Sequence, residues 1–280
     1  MTSPARDLAS AIALGRIIPP GTLGTRRARY LFERSVYLYR RQWLMIASGF
    51  LEPLFYLVAV GFGVGALVGS LPGPDGQPIP YQVFVAPALL GSSMMNGAIT
   101  EVMFNAYGKL RWEKVYDAVL ATPLGVGDIA LGEIAWAIFR GGLYAVGFVL
   151  VMVVLGLLRS PLAVLAIPAA LLEGFAFAAV GMAATTFLRS WQDFDLIQVV
   201  LQPMFLFSGT FFPIEQLPAA IQPLAWITPL YHGVALCRSL ALGTVGEDAL
   251  AAAIHLAVLL AFTGVGLVAA LVTFERRLAE

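Results

Sequence analysis

The chain has 280 residues, of which 59% are hydrophobic and only 12% are charged, and its mean hydropathy is +0.84. Soluble globular domains carry about 25% charged residues, so this composition excludes an ordinary soluble protein and indicates an integral membrane protein. The single cysteine, Cys237, excludes an internal disulfide and a multi-cysteine metal site. The formal net charge is +0. We expect membrane lipids and protein subunits as partners, and no nucleic acid.

The N-terminal part of the chain divides into two segments of different composition. Residues 1–24 are rich in Pro, Gly and Ala, and we expect them to be flexible and without a cleaved signal peptide. Residues 25–43 interleave aromatic and aliphatic residues with arginines, which is typical of an amphipathic helix that lies in the lipid headgroup layer. Its main candidate anchors are Arg26, Arg29, Arg34 and Arg40. A solvated basic tail is the alternative.

Residues 44–274 predict one all-α transmembrane domain of six helices. About 20 apolar residues cross a bilayer, and six segments approach or exceed that length. The predicted spans are 44–70, 81–104, 129–158, 161–188, 196–212 and 249–274. Residues 71–80 form a short loop between the first two spans, and residues 275–280 form a C-terminal tail.

The segment 213–232, between the last two spans, is apolar but unsuited to a regular helix. Prolines recur in it at positions 213, 218, 223 and 229, and proline removes a backbone donor and breaks a spanning helix. The pattern predicts a re-entrant pair of half-helices that dips into the outer leaflet. Its candidate functional residues are Phe212, Pro213, Pro218 and Trp226.

The distribution of cations predicts the orientation. With the N-terminus inside, 14 of the 17 lysines and arginines lie on the cytoplasmic side. The reverse orientation would violate the positive-inside rule. We therefore expect a multi-pass protein of the bacterial cytoplasmic membrane with both termini in the cytoplasm.

A polar stretch at 105–128, called the coupling segment below, connects the second and third spans. It begins with three cations, continues as a short amphipathic helix at 115–121, and turns before Asp128, which is predicted to be the N-cap of the next helix. A surface helix between two spans suits contact with a soluble partner. The cations either dock an acidic partner surface or only follow the positive-inside rule. The candidate coupling residues are Lys109, Arg111, Lys114, Val115, Tyr116, Asp117, Leu120 and Pro123.

The sequence gives no support for catalysis by this chain. The only lysines, Lys109 and Lys114, do not belong to a phosphate-binding G-x-x-x-x-G-K-[ST] loop. His232 and His255 lie 23 positions apart without metal-ligand companions at helical spacing. We expect no catalytic residue, no metal site and no cofactor in this chain. Any uphill transport must draw on an ion gradient or on a separate ATPase.

Five charged residues lie within predicted spans, where each costs about 2.5–3.5 kcal/mol at mid-bilayer. Glu52 and Glu101 lie near the ends of their spans, where side chains can reach the interface. Glu133 and Arg140 are seven residues apart and share a helix face, and Glu173 lies in the middle of the fourth span. They form either a polar pathway for protons or interhelical ion pairs, for example between Arg140 and Glu173. The first interpretation gives the alternative function, a proton-coupled secondary transporter, which would predict an internal repeat that the sequence does not show.

Three stretches together resemble one known family. They are Glu52-Pro53 with the glycine-rich 56–69, the block WEKVYDAVLATPLGVGDIALGEIAWA at 112–137, and FLFSGTFFPIEQLP at 205–218. The chain is similar, over about residues 26–277, to the permease subunits of ABC type 2 exporters. Within that family it resembles the nodulation-factor (lipo-oligosaccharide) exporter permeases and their daunorubicin-resistance relatives.

The resemblance implies a complex in which this chain is not the enzyme. Two permease copies, identical or not, would work with two cytoplasmic ATPase subunits that bind ATP and Mg. Residues 115–123 would sit in a cleft of the ATPase, and the re-entrant segment would close the outer side of the path. The cargo would be an amphipathic molecule such as a glycolipid, a lipo-oligosaccharide or a lipophilic drug.

Overall fold

The computed structural model describes residues 25–40, 43–73 and 77–279, so the predicted flexible segment 1–24 lies outside the described residues. The regular secondary structure of these residues is helical apart from one short hairpin. Five helical stretches are long and apolar enough to cross a membrane, which makes the chain a multi-pass membrane protein. They are Gly49–Val68, Tyr81–Arg111, Val126–Val154, Pro161–Thr185 and Ala249–Leu278.

The first two helices meet near the predicted end of the interfacial helix. Helix α1 (Thr25–Tyr39) ends four residues earlier than predicted, and α2 (Trp43–Tyr56) starts the first span. Pro53 lies inside α2, and a π-helix, Leu57–Val64, begins four residues after it. Proline cannot donate to the preceding turn, so α2 lacks one backbone hydrogen bond at Pro53. Helix α3 (Gly65–Val68) completes the span.

The connection after the first span is a hairpin, whereas a plain loop was predicted. Strands β1 (Ser70–Pro72) and β2 (Pro78–Pro80) pair antiparallel, with Leu71 opposite Ile79. Helix α4 (Tyr81–Arg111) follows and extends seven residues beyond the predicted span. It has the most deeply buried apolar window of the five long helices, so α4 is the centre of the bundle.

The coupling segment contains the predicted short helix, α5 (Val115–Leu120), and leads into α6 (Val126–Val154). The N-cap of α6 is Gly125, not Asp128 as predicted. Asp128 lies in the first helical turn, where its carboxylate accepts a hydrogen bond from the backbone N–H of Gly125 at 2.9 Å. An acidic residue there also interacts favourably with the helix dipole. Asp128 therefore stabilises the start of α6 from a position within the first turn.

The fourth span begins with a 3₁₀ turn, Pro161–Leu165, and continues as α7 (Ala166–Thr185). The next helix, α8 (Asp193–Phe207), has only 15 residues, although 196–212 was predicted to be a full span. At 1.5 Å per residue it is about 22 Å long, shorter than a typical hydrocarbon core of about 30 Å. It ends where Ser208 precedes Gly209, whose φ of +76° a helix does not accommodate.

The proline-rich region forms short helices, as predicted, and one longer helix that was not. A 3₁₀ turn (Ile214–Gln216) and α9 (Gln222–Ile227) precede α10 (Pro229–Leu242). The Thr228 hydroxyl caps α10 by accepting from the Tyr231 N–H, and Pro229 occupies the first turn, where no N–H is needed. These helix-starting signals extend the structured segment ten residues past the predicted boundary at 232.

The last helix, α11 (Ala249–Ala279), follows a 3₁₀ turn at Thr244–Gly246. It includes most of the predicted tail 275–280, because Glu275, Arg276 and Arg277 continue the helix instead of ending it. Small residues allow the long helices to approach closely. A Cβ on Gly174 of α7 would lie 2.6 Å from Met94 of α4, and one on Gly266 of α11 would lie 3.1 Å from Ala179 of α7.

Candidate functional site

Helix α5 is fixed to the bundle by one buried aromatic side chain. Tyr116 is 1% exposed, and its ring lies edge-on to that of Phe274 in α11, with 6.1 Å between centroids. Burial, and then the nearby Glu133 carboxylate, raise the pKa of the Tyr116 hydroxyl well above its usual value. Asp117 and Ala118, the next two residues, are exposed. The short helix thus has one side inside the bundle and one side open to a partner.

Helix α1 supports the same segment from the side. The Arg27 guanidinium donates a 2.6 Å hydrogen bond to the carbonyl of Pro123, which is exposed at the end of the coupling segment. A Cβ on Gly132 of α6 would lie 2.8 Å from Leu31 of α1, so the two helices pack closely. Helix α1 is thus bonded to the end of the coupling segment and packed against the helix that follows it.

The predicted basic residues of α1 and of the coupling segment lie as follows. Arg26 is in α1, and Arg29, Arg34 and Arg40 are exposed. In the coupling segment Lys114 is exposed, and Val115 and Leu120 are half-buried.

Two of the three coupling-segment cations do not lie on the open surface, contrary to expectation. The Lys109 ammonium turns into the bundle and donates to both Glu133 carboxylate oxygens, at 2.7 and 2.8 Å. Arg111 is half-buried and donates to the Leu188 carbonyl at 3.0 Å. A lysine near a helix end reaches inward when a buried carboxylate needs a partner. Of the three, Lys114 is the one whose side chain is exposed.

Arg140 forms its ion pair with Glu101 of α4. The pair between Arg140 and Glu173, suggested from the sequence, does not form. Glu101 also accepts from the Trp136 indole N–H at 3.0 Å and from the Asn105 amide at 2.5 Å. The other side of the Arg140 guanidinium donates to the Tyr144 hydroxyl at 2.7 Å. Each charge therefore has several partners, as a charged group inside a membrane requires.

The two ion pairs are successive cross-links between α4 and α6. Lys109 and Glu101 lie on α4, and Glu133 and Arg140 lie on α6, as expected for antiparallel helices joined by the coupling segment. The sign of the charge reverses from one cross-link to the next. This pattern fixes the register of α4 against α6, because a slip would bring like charges together.

Glu173 lies apart from both pairs. It is fully buried in α7, and neither carboxylate oxygen has a hydrogen-bond partner among the described residues. Its carboxyl group fills space left by two glycines. A Cβ on Gly91 of α4 would lie 2.6 Å from Glu173 Oε2, and one on Gly233 of α10 would lie 2.1 Å from its Cδ. Glu133, Arg140 and Glu173 therefore do not form one continuous chain of charged groups.

A cavity of about 330 Å³ lies between α2, α4, α6 and α8. Its lining contains the Glu101–Arg140 pair and also Glu52 of α2. Its other polar residues supply hydroxyls and carboxamides: Ser93, Asn96, Thr100, Tyr144, Gln198 and Gln202. The sequence did not indicate this cavity, because its lining comes from four separate helices.

The lining changes character from one end of the cavity to the other. Towards the coupling segment it presents Thr100, Glu101, Arg140 and Gln198, and Glu52 lies further along α2, one helical turn before Tyr56. At the opposite end, further along the same helices, it presents Tyr56, Leu90, Phe148 and Phe205. One end can hydrogen-bond a polar head and the other can pack against an apolar group, so the cavity suits an amphipathic molecule.

The turn after α8, residues 208–212, is held by hydrogen bonds at Gly209, Thr210 and Phe211. Arg238 of α10 donates to the carbonyl of Gly209 at 2.6 Å, and Tyr81 of α4 donates to the carbonyl of Phe211 at 2.9 Å. Between them, the hydroxyls of Thr210 and Ser92 lie 2.9 Å apart. The stretch SGTF, which carries part of the family resemblance, is thus tied to α4 and α10.

The re-entrant residues named from the sequence lie on the surface side of this turn. Phe212 and Pro213 are half-buried, and Pro218 and Trp226 are exposed. The Trp226 carbonyl is 2.8 Å from His232 Nε2, and His232 Nδ1 is 2.7 Å from His255 Nδ1 in α11. This histidine contact was missed because the two residues are far apart in sequence. In the described part of the chain, no three His, Cys, Asp or Glu side chains are grouped to hold a metal.

Comparison with known proteins assigns the chain to a family. The ABC-2 type transporter family model matches residues 26–242. The chain is 34% identical over 215 residues to Nodulation protein J of Rhizobium leguminosarum bv. trifolii, covering 76% of this chain and 80% of the relative. It is 32% identical to the same-named protein of Sinorhizobium fredii (83% and 86% covered) and 30% identical to that of Bradyrhizobium diazoefficiens (90% and 92% covered). The predicted resemblance is confirmed: the chain belongs to the ABC-2 type transporter family.

Proposed function

We propose that the chain is the permease subunit of an ATP-driven exporter that moves an amphipathic molecule outward across the bacterial cytoplasmic membrane. Two permease copies, which we take to be identical, work with two cytoplasmic ATPase subunits, and those subunits bind ATP and Mg. The cargo is a glycolipid, a lipo-oligosaccharide or a lipophilic drug.

The arrangement of α5 supports ATP-driven coupling most directly. An ATPase that contacts the exposed Asp117 and Ala118 can move the bundle, because Tyr116 on the other side of the same turn packs against α11. Arg27 extends the contact to α1. A connection between α4 and α6 would need none of these interactions merely to reverse chain direction.

The cavity supports an amphipathic cargo. Its polar end lies towards α5, on the side that we propose faces the cytoplasm, and its aromatic end lies deeper. A molecule taken from the inner leaflet would present its head group to the first end and its apolar part to the second.

In this proposal α8 is the fifth of six crossings, although its 15 residues are too few to cross alone. The held turn at 208–212, α9 and α10 complete its passage and form the re-entrant closure on the outer side. Both termini are then cytoplasmic, and the arginines of α1 lie at the inner headgroup layer, in agreement with the positive-inside rule.

The proton-coupled alternative has less support. Glu133 and Arg140 are each engaged in an ion pair, and Glu173 is enclosed by α4 and α10. A proton relay needs titratable groups that follow one another along a path.

Inside-out membrane vesicles that contain the chain and the ATPase encoded beside it test the proposal. We expect uptake of a fluorescent short-chain glycolipid when ATP is supplied, and equal uptake when a protonophore is added with ATP held constant. The matched control carries an ATPase without its catalytic glutamate and should show background uptake only. Uptake driven by a proton gradient without ATP would overturn the proposal.

A further inference from the structure

The cavity contains one carboxylate that its own charged neighbours do not neutralise. Glu101 and Arg140 pair with each other and are further occupied by Trp136, Asn105 and Tyr144. Glu52 lines the same cavity, and its side chain makes no ion pair or hydrogen bond with another described residue. The cavity therefore contains one carboxyl group, that of Glu52, without a protein partner among the described residues.

Aromatic rings lie one helical turn from this carboxylate. Tyr56 follows Glu52 at i+4 on α2, and its ring meets that of Phe205 in α8 edge-to-face, with 5.7 Å between centroids. Both rings line the cavity. A carboxylate beside aromatic faces is the combination by which proteins hold ammonium groups, since the anion and the ring quadrupoles both attract the cation.

Uncharged amides complete the polar lining near this carboxylate. Gln198 and Gln202 of α8 face the cavity from the helix that also supplies Phe205. Carboxamides can orient a polar head group without adding charge. Among the described lining residues Arg140 is the one cation, and it is engaged by Glu101. The cavity is thus better suited to a cationic head than to an anionic one.

We propose that Glu52, Tyr56 and Phe205 form a binding site for the ammonium group of an amphipathic molecule. This inference rests on the proposed transport function, because it names the chemistry of the head group that the same cavity accepts. An amine-bearing cargo and an ethanolamine lipid share this chemistry, and either can occupy the site.

Equilibrium binding to the purified chain in nanodiscs of an uncharged glycolipid tests the site without any ATPase. The probes are dodecyltrimethylammonium and, as a neutral control of equal chain length, dodecyl glucoside. We expect the ammonium probe to bind at least about tenfold more tightly, as the ionic attraction to the carboxylate and the cation–π contacts would together give. Glu52→Gln, which keeps the size of the side chain, should abolish the difference, and Tyr56→Leu should reduce it. Glu113→Gln, at an exposed position outside the cavity, should leave it unchanged.

Two further measurements identify the source of the ammonium group. Native mass spectrometry of the chain from mixed bilayers would show retained phosphatidylethanolamine over phosphatidylglycerol if a lipid occupies the site. Release of the ammonium probe on addition of the ATPase and ATP would identify the site as a cargo site. Equal binding of the charged and neutral probes to the wild-type chain would overturn the proposal, and so would an unchanged preference in a monodisperse Glu52→Gln variant. Neither result affects ATPase docking, so failure of this site and failure of the proposed function are distinguishable.

Discussion

The Lys109 ammonium group lies 2.7 Å from a Glu133 carboxylate oxygen, and both side chains are nearly excluded from solvent, at 11% and 4% exposure. The pair joins the last turns of α4 to the first turns of α6 and so braces the two helices on either side of the coupling segment. The sequence predicts Lys109 to belong to a positively charged loop. In the structure its side chain instead links α4 to α6 inside the bundle.

Breaking this pair from one side should destabilise the bundle strongly. Lys109→Met leaves the Glu133 carboxylate buried without its cation, and removing one partner of a buried pair costs about 3–5 kcal/mol. The double variant Lys109→Met/Glu133→Leu should recover most of that loss. The free cysteine Cys237 is fully buried, so the temperature at which a maleimide labels it reports unfolding. A double variant as unstable as the single one would show that the charges are not coupled.

Truncation of Tyr116 should separate ATP hydrolysis from transport. Tyr116→Ala removes the ring that packs against Phe274, at a packing cost of about 3–5 kcal/mol, and leaves α5 loosely attached. We expect ATP hydrolysis by the assembled complex to continue while cargo uptake falls to background. Tyr116→Phe keeps the ring and should transport nearly as wild type. Loss of uptake in the Phe variant would instead indicate a role for the hydroxyl.

The glycine opposite Glu173 should tolerate no side chain. Gly233→Ala would place a Cβ 2.1 Å from the Glu173 Cδ and force α10 away from α7. Gly264→Ala in α11 is the matched control, since a Cβ there meets nothing within 4 Å, and it should be neutral or stabilising by up to about 1 kcal/mol. Adding Glu173→Ala should rescue the Gly233 variant. Equal thermal stability of the two alanine variants would contradict the close contact.

The anchoring of the turn after α8 depends on Arg238. Arg238→Met keeps the length of the side chain but removes the hydrogen bonds to the carbonyls of Gly209 and Phe84. The Gly209 carbonyl in the turn then loses its partner, at a cost of about 1–3 kcal/mol, so the turn should open before the rest of the bundle unfolds. Hydrogen exchange should show faster exchange at 208–212 with little change in α4. Uniform acceleration across the chain would point to global destabilisation instead.

Local sequence pattern predicted the helices whose signals are local. Hydrophobic length placed four of the long helices to within a few residues at most ends, and the Thr122-Pro123 stop placed α5. Local sequence pattern did not predict a helix end that depends on contacts with residues distant in sequence. Helix α8 ends at Phe207 because Arg238, Tyr81 and Ser92 hold the following turn, and all three are distant in sequence.

The candidate site was less predictable than the fold for the same reason. The sequence placed charged residues inside spans but could not choose partners. Arg140 lies 39 positions from Glu101, and Lys109 lies 24 positions from Glu133. Periodicity within one helix shows which residues share a face, and it does not show which helix that face meets.

We propose that the exposed side of α5 docks an ATPase, and a bulky charge introduced on that surface tests this contact. The measurement is the amount of the ATPase encoded beside this chain that co-purifies with the tagged chain from membranes. Ala118→Arg adds a bulky charge on the exposed turn, and Ala219→Arg adds the same group at an exposed position at the opposite end of the bundle. We expect Ala118→Arg to abolish co-purification and Ala219→Arg to retain it. Full retention of the ATPase by a folded Ala118→Arg chain would contradict docking at α5.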